Sequence, residues 1–121
     1  MTIDALRLHS LQMPQVRPFR TSFGTQYVRD VMLVEAIDSD GAQGWGECVT
    51  LGWPGYNAEY TAGAIQVIKE YLAPIVLGND WSPDGVHAAM KVVRGHHIAR
   101  ASVGTAVLDV WLRRASTSLG D

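Results

Sequence analysis

The side chains best equipped for chemistry are few and scattered along the chain. His96 and His97 are adjacent, which sets their imidazoles on different faces of a helix, and no third ligand stands at a useful spacing from them. A helix start or a surface position is the role expected for the pair. Cys48 is the single cysteine and has no cation close in sequence to lower its pKa, so a packed thiol is expected. Glu47, beside it, fits a pocket acid less well than a partnered acid at a sheet edge, which is the commoner arrangement. Asp109 has Arg113 four residues on, the spacing of a helix-surface ion pair. The only lysines, Lys69 and Lys91, fall on amphipathic helical stretches. Together these residues supply a partner surface and part of a pocket, but not a complete catalytic apparatus.

The element that must position them is the succession Gly44, Trp45, Gly46, Glu47 and Cys48, a strand running out into a loop that carries Trp53 and Tyr56. Glycines flanking an indole suggest a backbone that passes close to something and delivers side chains to an edge. Before it, residues 3–13 are strand-like, with Leu6 and Leu8 on one phase and Leu11 and Met13 on the other; the phase change near Ser10 predicts a bulge or a switch of buried face. Pro14 is expected to end that strand, and residues 15–26 to form a loop carrying Phe19 and Phe23. Val31, Met32, Leu33 and Val34 read as a central strand buried on both faces, followed by a turn at Asp40 and Gly41. The expected result is a three-stranded antiparallel meander.

After the loop the period becomes helical. Ile65, Ile68, Leu72 and Ile75 predict a first helix, with Asn57 a possible cap, Pro74 weakening the last turn and Gly78 marking the stop. Ser82, Pro83 and Asp84 are an N-cap, a first-turn proline and a first-turn acid, opening a second helix with Val86, Met90 and Val93 on one face and Gly95 closing it. The last helix, from about His97 to Arg114, has Ile98, Ala101, Thr105, Leu108 and Leu112 on one stripe and Val103, Ala106 and Val110 on another. A helix apolar on several sides is covered from several directions. An α+β domain of this size supplies little such cover, so something further is expected to pack there.

The whole chain has 121 residues, enough for one domain with a real core. Ten basic and twelve acidic residues give a net charge of -2 with no basic stripe, which argues against nucleic acid or an anionic membrane as partner. Met1, Thr2, Ile3 and Asp4 do not begin a signal peptide and no apolar run is long enough to span a bilayer, so a cytoplasmic location is expected. The single cysteine fits a reducing compartment.

Several motifs together carry a resemblance: Pro18, Phe19, Arg20, Thr21, Ser22, Phe23, Gly24 and Thr25; the Gly44 to Cys48 run; Tyr56 with Glu59 and Tyr60; Arg94, Gly95 and His96; and Ala99, Arg100 and Ala101 leading to Ala106 and Asp109. The chain resembles the N-terminal capping domain of the enolase superfamily, more narrowly the muconate lactonizing subgroup, and within it the o-succinylbenzoate synthase and N-acylamino acid racemase family. The resemblance implies an enolase-like capping domain over residues 1–115 and the start of a linker, residues 116–121, to a (β/α)8 barrel that is not in this sequence. A barrel needs about 250 residues. On that barrel a Lys-x-Lys pair, a further lysine and three magnesium-binding acids carry the reaction in such enzymes. A lysine takes the proton α to a carboxylate and Mg2+ stabilises the enediolate.

What the resemblance assigns to the cap is substrate choice and exclusion of water, made by two loops. Carried over by matching positions, Phe19 and Phe23 in the first loop and Leu51 and Tyr56 in the second face the substrate, and rings with a branched alkyl group suit an apolar wall for an acyl or aryl group. The simpler role for Phe19 and Phe23 is to pin their own loop to the sheet. No catalytic or metal residue is assigned to this chain. Asp109 is expected at the junction with the barrel, and Gly104 departs from the family, which usually carries an acid there; a mid-helix glycine costs about 1 kcal/mol relative to alanine but allows a neighbour's close approach. The implied partners are the chain's own barrel, a small-molecule carboxylate and further copies in a homo-oligomer. The competing expectation is a barrel-less, noncatalytic protein that binds or self-associates through the last helix.

Overall fold

The computed structural model describes residues 1–121 except Ser22, Phe23, Tyr56 and Asp121, and for residues 15–30 and Pro83 it describes the backbone alone. The fold is α+β. Three antiparallel strands, β1 (Ile3–Thr21), β2 (Gly24–Asp38) and β3 (Gln43–Cys48), lie in the order β1-β2-β3 and are followed by helices. As the alternation requires, Leu6 and Leu8 of β1, Met32, Val34 and Ala36 of β2, and Gly44, Gly46 and Cys48 of β3 share one face, and Arg7, His9, Glu35 and Trp45 share the other.

β1 departs from expectation twice. Pro14 does not end it: Pro14 pairs with Val28 and pairing resumes at Phe19 with Gln26, so most of the expected loop 15–26 is a long hairpin arm. β1 is an edge strand, the place in a sheet where proline is accommodated because one side of the strand has no ladder to break. Between those two pairs β1 advances five positions and β2 two, and this irregularity, with another between Ile3 and Ala5, stands in place of one near Ser10. Leu11 and Met13 therefore stay on the outer face, 46% and 53% exposed. The turn after β2 is as read: Gly41 donates to the Asp38 carbonyl at φ +85°, a value open to glycine.

The first helix is one rod in three parts, α1 (Thr61–Val67), a π-helical turn (Ile68–Leu72) and α2 (Ala73–Val76). The widened turn stands directly before Pro74, which has no N–H to continue an i→i−4 ladder. Its N-cap is Tyr60, not Asn57, whose side chain instead accepts from Glu59 N at 3.0 Å. α3 (Pro83–Met90) starts as its sequence demands, with the Ser82 hydroxyl accepting from Gly85 N at 3.2 Å. It ends at Met90, well before Gly95.

α4 (His97–Arg114) is the central support of the sheet. Ser102 is buried, and Ala99, Val103, Ala106, Val107 and Val110 pack with Ile3, Met32, Ile68, Leu72, Val86 and Met90 in one core. Gly44 and Gly46 make this packing possible. A Cβ on Gly46 would lie 2.1 Å from the Ser102 carbonyl oxygen, and one on Gly44 2.3 Å from Val110 N. The backbone that the glycines bring β3 close to is thus that of α4. The other face of α4 is not covered to the same degree: Ala101 and Thr105 are exposed, Leu108 and Leu112 half-buried, and Trp111 is 42% exposed.

Candidate functional site

Where β3 runs out, the chain makes a loop that returns to α1, and its two ends are tied together. The Thr50 and Thr61 hydroxyls lie 2.9 Å apart, Thr61 N donates to the Leu51 carbonyl at 2.9 Å, and the Thr61 hydroxyl donates to the same oxygen at 3.1 Å. Leu51 and Tyr60 form a short parallel bridge. A neck pinned by this many bonds closes a surface loop of the kind that presents side chains. Leu51 leaves the neck 39% exposed, and Trp53 is exposed beside it.

The returning arm has a second anchor. The Glu59 carboxylate accepts from Ile98 N at 3.0 and 2.9 Å through its two oxygens, and from Ala99 N at 3.1 Å. These are first-turn donors of α4, which no intrahelical acceptor can serve. α4 has no cap of its own: its N-cap residue is His96, in the left-handed conformation at φ +50° and without a side-chain bond. A carboxylate at a helix N-terminus gains from both the bonds and the dipole. Sequence reading did not find this contact, because 39 residues separate the partners. The signal that could have found it is a long helix beginning at His96-His97 without Ser, Thr, Asp or Asn.

Of the four residues expected in a pocket, Leu51 alone has a described side chain, on the loop neck. Phe19 lies on β1, its backbone paired with Gln26, rather than in a loop. Phe23 and Tyr56 lie outside the described residues, as does the side chain of Phe19.

The remaining chemistry-bearing residues serve the fold. Cys48 is buried with Sγ 3.8 Å from the Thr50 hydroxyl, and burial, partly offset by that hydroxyl, pushes its thiol pKa above the ordinary 9.0. Asp109 accepts from Trp45 N at 2.9 Å and from Arg113 Nε at 3.0 Å with one oxygen, so it holds α4 to β3 inside this domain and also makes the surface ion pair with Arg113. His97 Nδ1 meets Arg100 at 2.8 Å. The outer face of the sheet holds a polar cluster that sequence reading passed over: Glu35, only 3% exposed, lies 3.1 Å from His9 Nε2, and the His9 ring sits 5.5 Å from the Trp45 ring. Gly104 does admit a neighbour. A Cβ there would stand 2.7 Å from the His87 ring, which fills the space a side chain would take.

Among the described residues no three His, Cys, Asp or Glu side chains come together to hold a metal ion, and no helix is long and apolar enough to cross a membrane.

Residues 3–121 match the family model of the mandelate racemase / muconate lactonizing enzyme N-terminal domain. The chain is 43% identical over 114 residues to an N-succinylamino acid racemase of Amycolatopsis, an alignment covering 93% of this chain and 31% of that protein. It is 30% identical over 120 residues to the o-succinylbenzoate synthase of Bacillus subtilis, covering 98% and 32%. A crystal structure of an enolase-superfamily member from Listeria innocua superposes with a TM-score of 0.90 at 29% identity, covering 95% of this chain and 31% of that one. The chain spans about a third of the length of each of these relatives. It belongs to the mandelate racemase / muconate lactonizing enzyme N-terminal domain family of the enolase superfamily.

Proposed function

We propose that residues 1–115 are the capping, substrate-selecting domain of a magnesium-dependent enzyme of the o-succinylbenzoate synthase or N-acylamino acid racemase type, with residues 116–121 leading into a (β/α)8 barrel. The observation that carries this is the match of nearly the whole chain, at 43% and 30% identity, to about a third of two enzymes bearing those names. The stripe of Ala101, Thr105, Leu108 and Leu112 supports a barrel as the missing cover of α4. The described residues do not fit a magnesium site. In this reading the ion is held by the barrel, where it supplies positive charge to the substrate carboxylate.

The chain's own part is binding and water exclusion. Leu51 and Tyr56 from the pinned loop, with Phe19 and Phe23 from the β1–β2 arm, form an apolar wall around the acyl or aryl group of a small carboxylate, and a site closed to water strengthens the electrostatics within it. α-Proton abstraction belongs to the barrel. The test is to assay the chain alone and joined to a barrel, its own coding continuation or that of a relative, with N-succinylamino acids for racemisation and with the synthase substrate for dehydration. Turnover in the joined protein and none in the chain alone is expected; a joined, folded protein inactive on both would sink the reading.

A second reading, a noncatalytic protein that self-associates through α4, draws on the same stripe and on Trp111. It predicts a defined oligomer in solution with no barrel required.

A further inference from the structure

We infer that Glu59 is a positioning residue for the substrate-selecting loop: by capping α4 across the fold it fixes the arm that returns from Asn57 to Thr61 against the helix that supports the sheet. That this loop selects substrate rests on the function proposed above; that Glu59 fixes it does not. Three observations converge. The Glu59 carboxylate takes the two free amides of Ile98 and Ala99, both oxygens within 3.1 Å. Its own backbone N–H is held by the Asn57 side chain, so the carboxylate is placed from the loop side. Directly beyond it stand Tyr60 and Thr61, which close the neck on Leu51.

The arrangement is more than a cap. A local cap would tie α4 to the residue before it, whereas this one ties α4 to a loop that precedes another helix. Every bond needs an acceptor, which the carboxylate supplies at both oxygens. Glutamine would keep one oxygen able to accept from both amides, as Glu59 Oε1 does, whereas leucine has no acceptor. Glu59→Leu therefore removes the tie.

The experiment compares the wild type, Glu59→Leu and Ser82→Ala. Ser82→Ala removes the cap of α3, away from the loop, and controls for general loss of stability. Hydrogen exchange on the 121-residue chain reads the amides of Ile98 and Ala99 and, at the loop neck, the amide of Thr61, which donates to the Leu51 carbonyl. Glu59→Leu should speed exchange in both places about tenfold or more, and Ser82→Ala should not do so at Thr61. In the barrel-bearing protein, Glu59→Leu should raise KM for N-succinyl more than for N-acetyl derivatives of one amino acid, with kcat for α-proton exchange within about twofold of wild type.

Faster exchange at Ile98 and Ala99 with unchanged exchange at Thr61 would overturn the inference, leaving Glu59 a cap and nothing more. An equal fall in kcat for both substrates would also overturn it, since that is damage shared by all chemistry. If the wild-type joined protein turns over neither substrate, the proposed function fails and the exchange result alone decides the role of Glu59.

Discussion

Single residues set the tolerances of this domain. Gly46 and Gly104 make the contrast plain, because a Cβ would meet backbone at the first and a side-chain ring at the second. Gly46→Ala should cost about 3 kcal/mol in urea denaturation, since neither β3 nor α4 can yield without moving the core. Gly104→Ala should fall within about 1 kcal/mol of wild type, because the exposed His87 ring can turn aside and a mid-helix alanine is favoured. Equal effects at the two sites would refute this account. Cys48 adds a dependence on pH. Its thiol pKa is raised in the fold, so above the ordinary 9.0 the unfolded chain gives up a proton that the folded chain keeps, and stability must fall as pH rises. The slope can reach about 1.4 kcal/mol per pH unit for one group. The difference between wild type and Cys48→Ala, followed from pH 8 upward by denaturant midpoint, isolates it; a difference independent of pH would refute it.

Elements with local signals were legible from the sequence, and those defined by distant partners were not. Ser82, Pro83 and Asp84 announced α3 because capping chemistry is local, and the last helix was readable over its full length from its apolar residues. Pro14 misled because whether a proline ends a strand depends on whether that strand is an edge, which strand order decides. Asn57 misled because the first helix starts after Tyr60, where the neck closes, and not at the nearest polar residue. The glycines of β3 pointed to a close approach, but only the fold shows that α4 is what approaches. Of the candidate site, Leu51 entered only through resemblance, and Glu59 through no local pattern. The half-covered face of α4 leads to its own expectation. The isolated chain should associate with rising concentration in analytical ultracentrifugation, and Leu108→Glu should weaken that association; a monomer at all concentrations would argue against an apolar docking face.

At the scale of the whole molecule, the family supplies the fold and the proposed barrel supplies the chemistry, so substitutions in this domain should alter preference rather than reaction. In the barrel-bearing protein, Tyr56→Ala should change relative KM among acyl groups more than the rate of α-proton exchange; equal losses on every substrate would indicate damage to the shared chemistry instead. The backbone-to-backbone seam between β3 and α4 carries a further consequence, for how such a chain can diverge. An ordinary core drifts by trading a large side chain here for a small one there, but a seam where backbone lies against backbone offers little to trade. Gly44 and Gly46, with Ser102 and Ala106 facing them, should behave in a saturation library as one indivisible unit, with few accepted substitutions and no compensating pairs. The loop that follows β3 should accept more. A lineage built on this plan can revise what it admits while the hinge-line of its sheet stays fixed.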